Sequence, residues 1–161
     1  MKNLDKILGI DPGTHITGYG VIQNKNPQPI LLACDRITVS AKQPLVHRLE
    51  VVFHQISKII DQFRPGCVVV EEAFYGKNVK TILALSQLRG VILLSASLAK
   101  VKIFEYAPRS IKFSVTGNGA ASKEQVQYMV GQILRQPTEQ LSFDVSDALA
   151  IALCHAHRAA A

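Results

Sequence analysis

The chain has 161 residues, the size of one domain and long enough to bury about 70% of its unfolded surface. Hydrophobic residues make up 48% and charged residues 19%, which excludes a disordered or low-complexity polymer. Eighteen Lys and Arg against twelve Asp and Glu leave a net charge of +6, a balance that suits a polyanionic partner.

The three cysteines, Cys34, Cys67 and Cys154, are odd in number and form no C-x-x-C pair, which argues against a disulfide framework and a cysteine zinc cluster. Met1 to Ile10 lacks the apolar core of a signal peptide. The longest nearly apolar stretch, Val91 to Ala99, is too short to span a bilayer. A soluble, cytoplasmic protein without membrane association is expected.

In chain order, Ile7–Ile10 reads as a strand ending at the turn signal Asp11-Pro12-Gly13-Thr14. Gly18–Ile22 and Ile30–Val39 read as two further strands separated by a turn at Asn24–Pro29, and short connections imply an antiparallel meander. From Pro44 to Phe63 the apolar residues fall at helical spacing, and Pro65-Gly66 stops that helix. Cys67–Val70 is a buried strand ending at Glu71-Glu72. A helix follows over Val79–Ala99, then a strand over Val101–Tyr106 and a short helix opened by Pro108. After the Gly117-Asn118-Gly119 loop, Ser122 starts a helix with Gln125 in capping-box position. Asp144 is predicted to cap a last helix running toward His157. The sum is an α/β fold: a mixed five-stranded sheet, an antiparallel meander followed by alternating helices and strands, flanked by helices.

Three places bring carboxylates to element ends. Asp11 follows an apolar strand, where it serves either as a turn residue or as a group facing a crevice. Glu71 follows Val68-Val69-Val70 in the same way, and Glu72 points to the opposite face because strand side chains alternate. Asp144 and Asp147 share one face at the start of a helix whose continuation, Ala148 to Leu153, is wholly apolar and therefore buried. Brought together, Asp11, Glu71, Asp144 and Asp147 form an all-carboxylate cluster whose members repel one another. A hard divalent cation removes that penalty, and oxygen-only ligands favour Mg²⁺ or Mn²⁺ over zinc. Two such ions about 3.5–4 Å apart suit hydrolysis of a phosphodiester.

Setting those four aside leaves eight acids against eighteen bases. Between Lys77 and Lys123 eight bases face the single acid Glu105, a run that fits phosphate contacts as well as a solvated surface. Phe74 and Tyr75, in a polar loop just after Glu71-Glu72, either stack on or wedge between bases or fold one ring into the core. His155 and His157, two apart on a helix, face different ways and read as residues complementing the helix dipole rather than as a metal pair.

These residues resemble one family. The segments Gly9-Ile10-Asp11-Pro12-Gly13-Thr14 with Thr17-Gly18-Tyr19-Gly20, Val70-Glu71-Glu72-Ala73-Phe74, Gln87-Leu88-Arg89-Gly90, Phe104-Glu105-Tyr106-Ala107-Pro108-Arg109 and Asp144-Val145-Ser146-Asp147-Ala148-Leu149-Ala150 occur in the order and spacing of RuvC-type Holliday-junction resolvases, crossover junction endodeoxyribonucleases with a ribonuclease-H-like fold. The resemblance runs from about Ile7 to His157 and implies a single ribonuclease-H-like nuclease domain over residues 1–161. It implies that Asp11, Glu71, Asp144 and Asp147 are catalytic metal ligands for Mg²⁺, with Mn²⁺ as a substitute. It implies DNA contacts from Phe74, Arg89, Arg109, Lys112 and Lys123. It also implies a homodimer that cuts four-way DNA junctions symmetrically in recombination and DNA repair, beside the RuvA and RuvB branch-migration proteins. Ala84, Ser86 and Ala120 depart from the family pattern. Two other classes remain open to the sequence: an actin-like ATPase, because Gly9 to Thr14 resembles a phosphate loop, and a junction-binding module without catalysis.

Overall fold

The structure, a computed structural model, describes residues 3–72 and 78–159. Five strands form one mixed sheet: β1 (Asn3–Asp11), β2 (Ile16–Gln23), β3 (Ile30–Thr38), β4 (Pro65–Glu71) and β5 (Lys102–Tyr106). Their order is β3-β2-β1-β4-β5; β1 runs antiparallel to β2 and parallel to β4, and β4 runs parallel to β5. The meander and the change to parallel crossovers match the sequence expectation.

Helices cover both faces. α1 (Leu45–Phe63) and α2 (Val79–Leu98) close one, over Leu8, Ile10, Val68 and Val70. α3 (Pro108–Thr116), α4 (Lys123–Leu134) and α5 (Phe143–Ala159) close the other, over Ile7, Cys67 and Val69. From Pro65 to Val70, β4 therefore carries no polar side chain and is buried on both faces, as a central parallel strand must be. The alternation also fixes polarity at the strand ends. Asp11 and Glu71 continue the parity of Ile7 and Val69, so both carboxylates face the α3–α5 side.

Several boundaries differ from the sequence reading. β1 starts at Asn3, four residues earlier than its apolar run, because its first half is paired along β2 and β4. α1 ends when Arg64 turns left-handed at φ 47° and donates its N–H to the Ile60 carbonyl; Pro65 then opens β4 directly. Ser122 and Gln125 form the expected capping box. α5 begins at Phe143, not Asp144. Ser142 occupies the cap, its hydroxyl accepting from the Val145 N–H at 3.5 Å and its carbonyl from the Ser146 N–H at 2.9 Å. Asp144 is thus a first-turn acid with its carboxylate uncommitted to capping. α2, by contrast, ends at Leu98, within one residue of the expected Val79–Ala99. Its 20 residues meet the length and composition of a membrane span, but it packs on α1 and β5.

α5 lies across the sheet in unusually close contact. A Cβ on Gly9 would lie 2.8 Å from the Ala152 nitrogen and 2.9 Å from its Cβ, and one on Gly18 would overlap the Asp144 carbonyl. Gly9→Ala is expected to cost about 1–3 kcal/mol by overpacking, read as a lower urea midpoint with an unchanged slope.

Candidate active site

The parallel ends of β1 and β4 and the first turns of α5 converge on a cleft of about 270 Å³. Ile10 pairs with Val70, so Asp11 and Glu71 end neighbouring strands side by side. Asp147 reaches the same cleft from α5, and Lys112 of α3 and Lys123 at the start of α4 line it beside the acids. Lys123 Nζ lies 3.8 Å from Asp147 Oδ2. Asp144 stands one turn before Asp147, at the point where the helix backbone meets Gly18. The turn after Asp11 is held from below: Arg48 Nη1 donates to the Thr14 carbonyl at 3.0 Å.

The electrostatics are those of crowded acids. Burial, followed by repulsion from Asp147, Glu71 and Asp144, pushes the Asp11 carboxyl up to about 8. Burial and Asp147 raise Glu71, with Lys112 and Lys123 opposing. Burial raises Asp147 and Asp144 adds to it, while Lys123 and Lys112 oppose. Among the described residues no three acidic, histidine or cysteine side chains close into a compact metal cage. The donor set fits a hard divalent cation nevertheless: every acidic side chain lining the cleft offers carboxylate oxygens, and a cation would offset the burial and the repulsion that raise Asp11.

The other expected site residues divide. Phe74 and Tyr75 lie outside the described residues. Arg109 is exposed on the first turn of α3, its side chain folded over Gly119. Arg89, the remaining expected DNA contact, lies on the α2 face of the sheet. Its Nη2 pairs with Glu105 Oε2, its Nε donates to the Glu71 carbonyl at 3.4 Å, and only 18% of its side chain is exposed. His155 and His157 do face apart, to Tyr106 Oη at 2.8 Å and Ser114 Oγ at 3.1 Å. The sequence reading gave no positional role to Gly9 and Gly18. The signal was present, since glycine inside a strand marks close backbone approach.

Similarity to known proteins decides the class. The pattern of the family described as crossover junction endodeoxyribonuclease RuvC matches residues 7–155. The chain belongs to this family. A crossover junction endodeoxyribonuclease RuvC from Pelotomaculum thermopropionicum is 43% identical over 151 residues, spanning 94% of this chain and 92% of the relative. Thermus thermophilus RuvC superposes with a TM-score of 0.88 at 31% identity, covering 96% of this chain and 95% of that one. The same protein in complex with a Holliday junction substrate gives 0.86 at 30% identity, covering 96% and 94%. The fold is ribonuclease-H-like, and the RuvC family consists of metal-dependent nucleases. As a RuvC-family member the chain is an endonuclease that hydrolyses phosphodiesters, which sets aside the ATPase and silent-binder readings.

The raised Asp11 pKa has a definite sign. A carboxyl whose folded pKa exceeds its unfolded value of 3.8 contributes stability below that value, and loses it as pH rises toward about 8. In chelator, the wild-type melting temperature should fall across that window more than that of Asp11→Asn, and a divalent cation at pH 8 should restore it. Parallel pH profiles for the two proteins would refute the placement of Asp11.

Proposed function

We propose that the chain resolves four-way DNA junctions at this cleft, with Asp11, Glu71, Asp144 and Asp147 as ligands for Mg²⁺ and Mn²⁺ as a working substitute. The observation that carries the reading is the convergence of acids from two strand ends and one helix start, where burial and the neighbouring acids push the Asp11 carboxyl up to about 8. Two ions, when bound, supply water activation and charge stabilisation at the leaving oxygen. The protein's own contribution is geometric and electrostatic. The acids fix the oxygen donors on rigid elements, Lys112 and Lys123 supply positive charge beside them, and the apolar lining of Ile111, Val126 and Ile151 limits water. One P–O bond forms to the incoming water and one P–O ester bond breaks. Lys112, Lys123 and Arg109 contact strand phosphates in this reading, and Phe74 stacks at the junction.

The proposal extends to a cytoplasmic homodimer acting beside RuvA and RuvB, each protomer a single nuclease domain that cuts one strand. A paired arrangement is supported by α2, where Val79, Leu83, Leu94 and Leu98 are exposed along one side of the helix with open space at Gly90. Such a stripe of apolar surface suits a self-complementary contact.

A synthetic four-way junction beside a matched linear duplex tests the reading. Paired symmetric nicks on the junction alone, in Mg²⁺ and not in EDTA, are expected; equal cutting of both substrates would remove the junction selectivity. Asp11→Asn should lose cleavage while retaining junction binding. Lys112→Ala should lower kcat on the order of 100-fold and flatten the salt dependence of turnover; wild-type kinetics across salt would remove Lys112 from the phosphate.

A further inference from the structure

We propose that Arg89 is a positioning residue for Glu71, acting through the backbone from the opposite face of the sheet, rather than a contact to DNA. This inference rests on the assignment of Glu71 to the metal site made above.

Glu71 is the last residue of β4, and its strand pairing ends with it: Glu71 lies opposite Tyr106, and the Glu72 N–H donates to the Tyr106 carbonyl at 2.9 Å. A carboxylate on a strand end is only as well placed as that end. Arg89 of α2 spans the gap. Through Nε it reaches the Glu71 carbonyl at 3.4 Å, and through Nη2, on the same edge of the guanidinium, it pairs with Glu105 of β5. One planar group therefore joins the ends of β4 and β5, and the helix behind them. Glu105 faces α2 because Ile103, two residues earlier, packs on that side. The side chain of Arg89 is 18% exposed against 42% for Glu105, so the cation is the enclosed partner and its charge is already committed.

Only arginine presents two donors along one rigid edge. Lysine keeps the charge and loses the fork. That difference separates the two roles. A phosphate contact depends on charge and survives Arg89→Lys in large part, whereas a brace does not.

Arg89→Lys is expected to bind a four-way junction with wild-type affinity and salt slope, while kcat at saturating junction falls about tenfold or more, because small misplacement of a catalytic group is costly. Without DNA, calorimetric Mn²⁺ affinity should fall several-fold, and hydrogen exchange at the Glu72 amide should accelerate. Glu105→Gln keeps an acceptor and should show the same changes in weaker form, not additive with Arg89→Lys; it carries the test should Arg89→Lys fail to fold by circular dichroism. Wild-type kcat, Mn²⁺ affinity and exchange in a folded Arg89→Lys would overturn the brace. So would an Arg89→Ala protein that loses junction affinity with a salt slope smaller by about 1, which marks a phosphate contact. If the wild-type chain itself cuts no junction, the functional reading fails, and amide exchange still decides the brace alone.

Discussion

The contact on which the rest depends is the approach of α5 to the meander. Helix backbone normally stands off a sheet by the width of two side chains, yet here it meets strand backbone at Gly9 and Gly18. The consequence is positional. Gly18 receives the carbonyl of Asp144, and Gly9 the backbone of Ala148 and Ala152, so the first two turns of α5 are fixed in height and rotation over β1 and β2. Asp147 is thereby delivered to the cleft that Asp11 and Glu71 reach from the strand ends. Ala148 and Ala152, both fully buried, belong to the same device. A larger side chain at either would lift the helix and its acids together.

The resulting site opposes folding as the chain stands. Each of Asp11, Glu71 and Asp147 is raised first by burial and then by the other acids, and the two lysines relieve only part of this. A protein sited near its stability threshold tolerates such a cluster only where function requires it. The surrounding sheet absorbs the cost: β4 is enclosed on both faces, and two separate apolar clusters pack against it. Charge outside the cleft runs the other way, with +6 over the chain, so a polyanion is drawn toward a locally acidic pocket that a divalent cation neutralises.

Most of this was legible in the sequence because it rests on local pattern. Short apolar runs bounded by turn signals mark the strands, and period-3.6 apolar spacing marks the first helix; Asp11 and Glu71 stand out where apolar runs end, Asp144 and Asp147 where one begins. What escaped depends on partners distant in sequence. The early start of β1 at Asn3 comes from pairing with β2 and β4. The cap at Ser142 differs by two residues from the expected Asp144 because either side chain can serve an N-terminus. Arg89 looked like one more base in a basic run, and only the register that places Glu105 beneath it reveals its commitment. Gly9 and Gly18 read as members of a motif, and their purpose appears once the helix is seen to lie on them.

The glycine contacts set the positions of the acids proposed to hold metal. Calorimetric titration of Mn²⁺ into the wild-type chain and into Gly18→Ala, both shown to be folded by circular dichroism, tests it without DNA or turnover. The account predicts that a methyl group against the Asp144 carbonyl leaves the fold in place and lowers Mn²⁺ affinity about tenfold or more, the range seen when support around ligands is lost. A folded Gly18→Ala that binds Mn²⁺ as tightly as the wild type would contradict it.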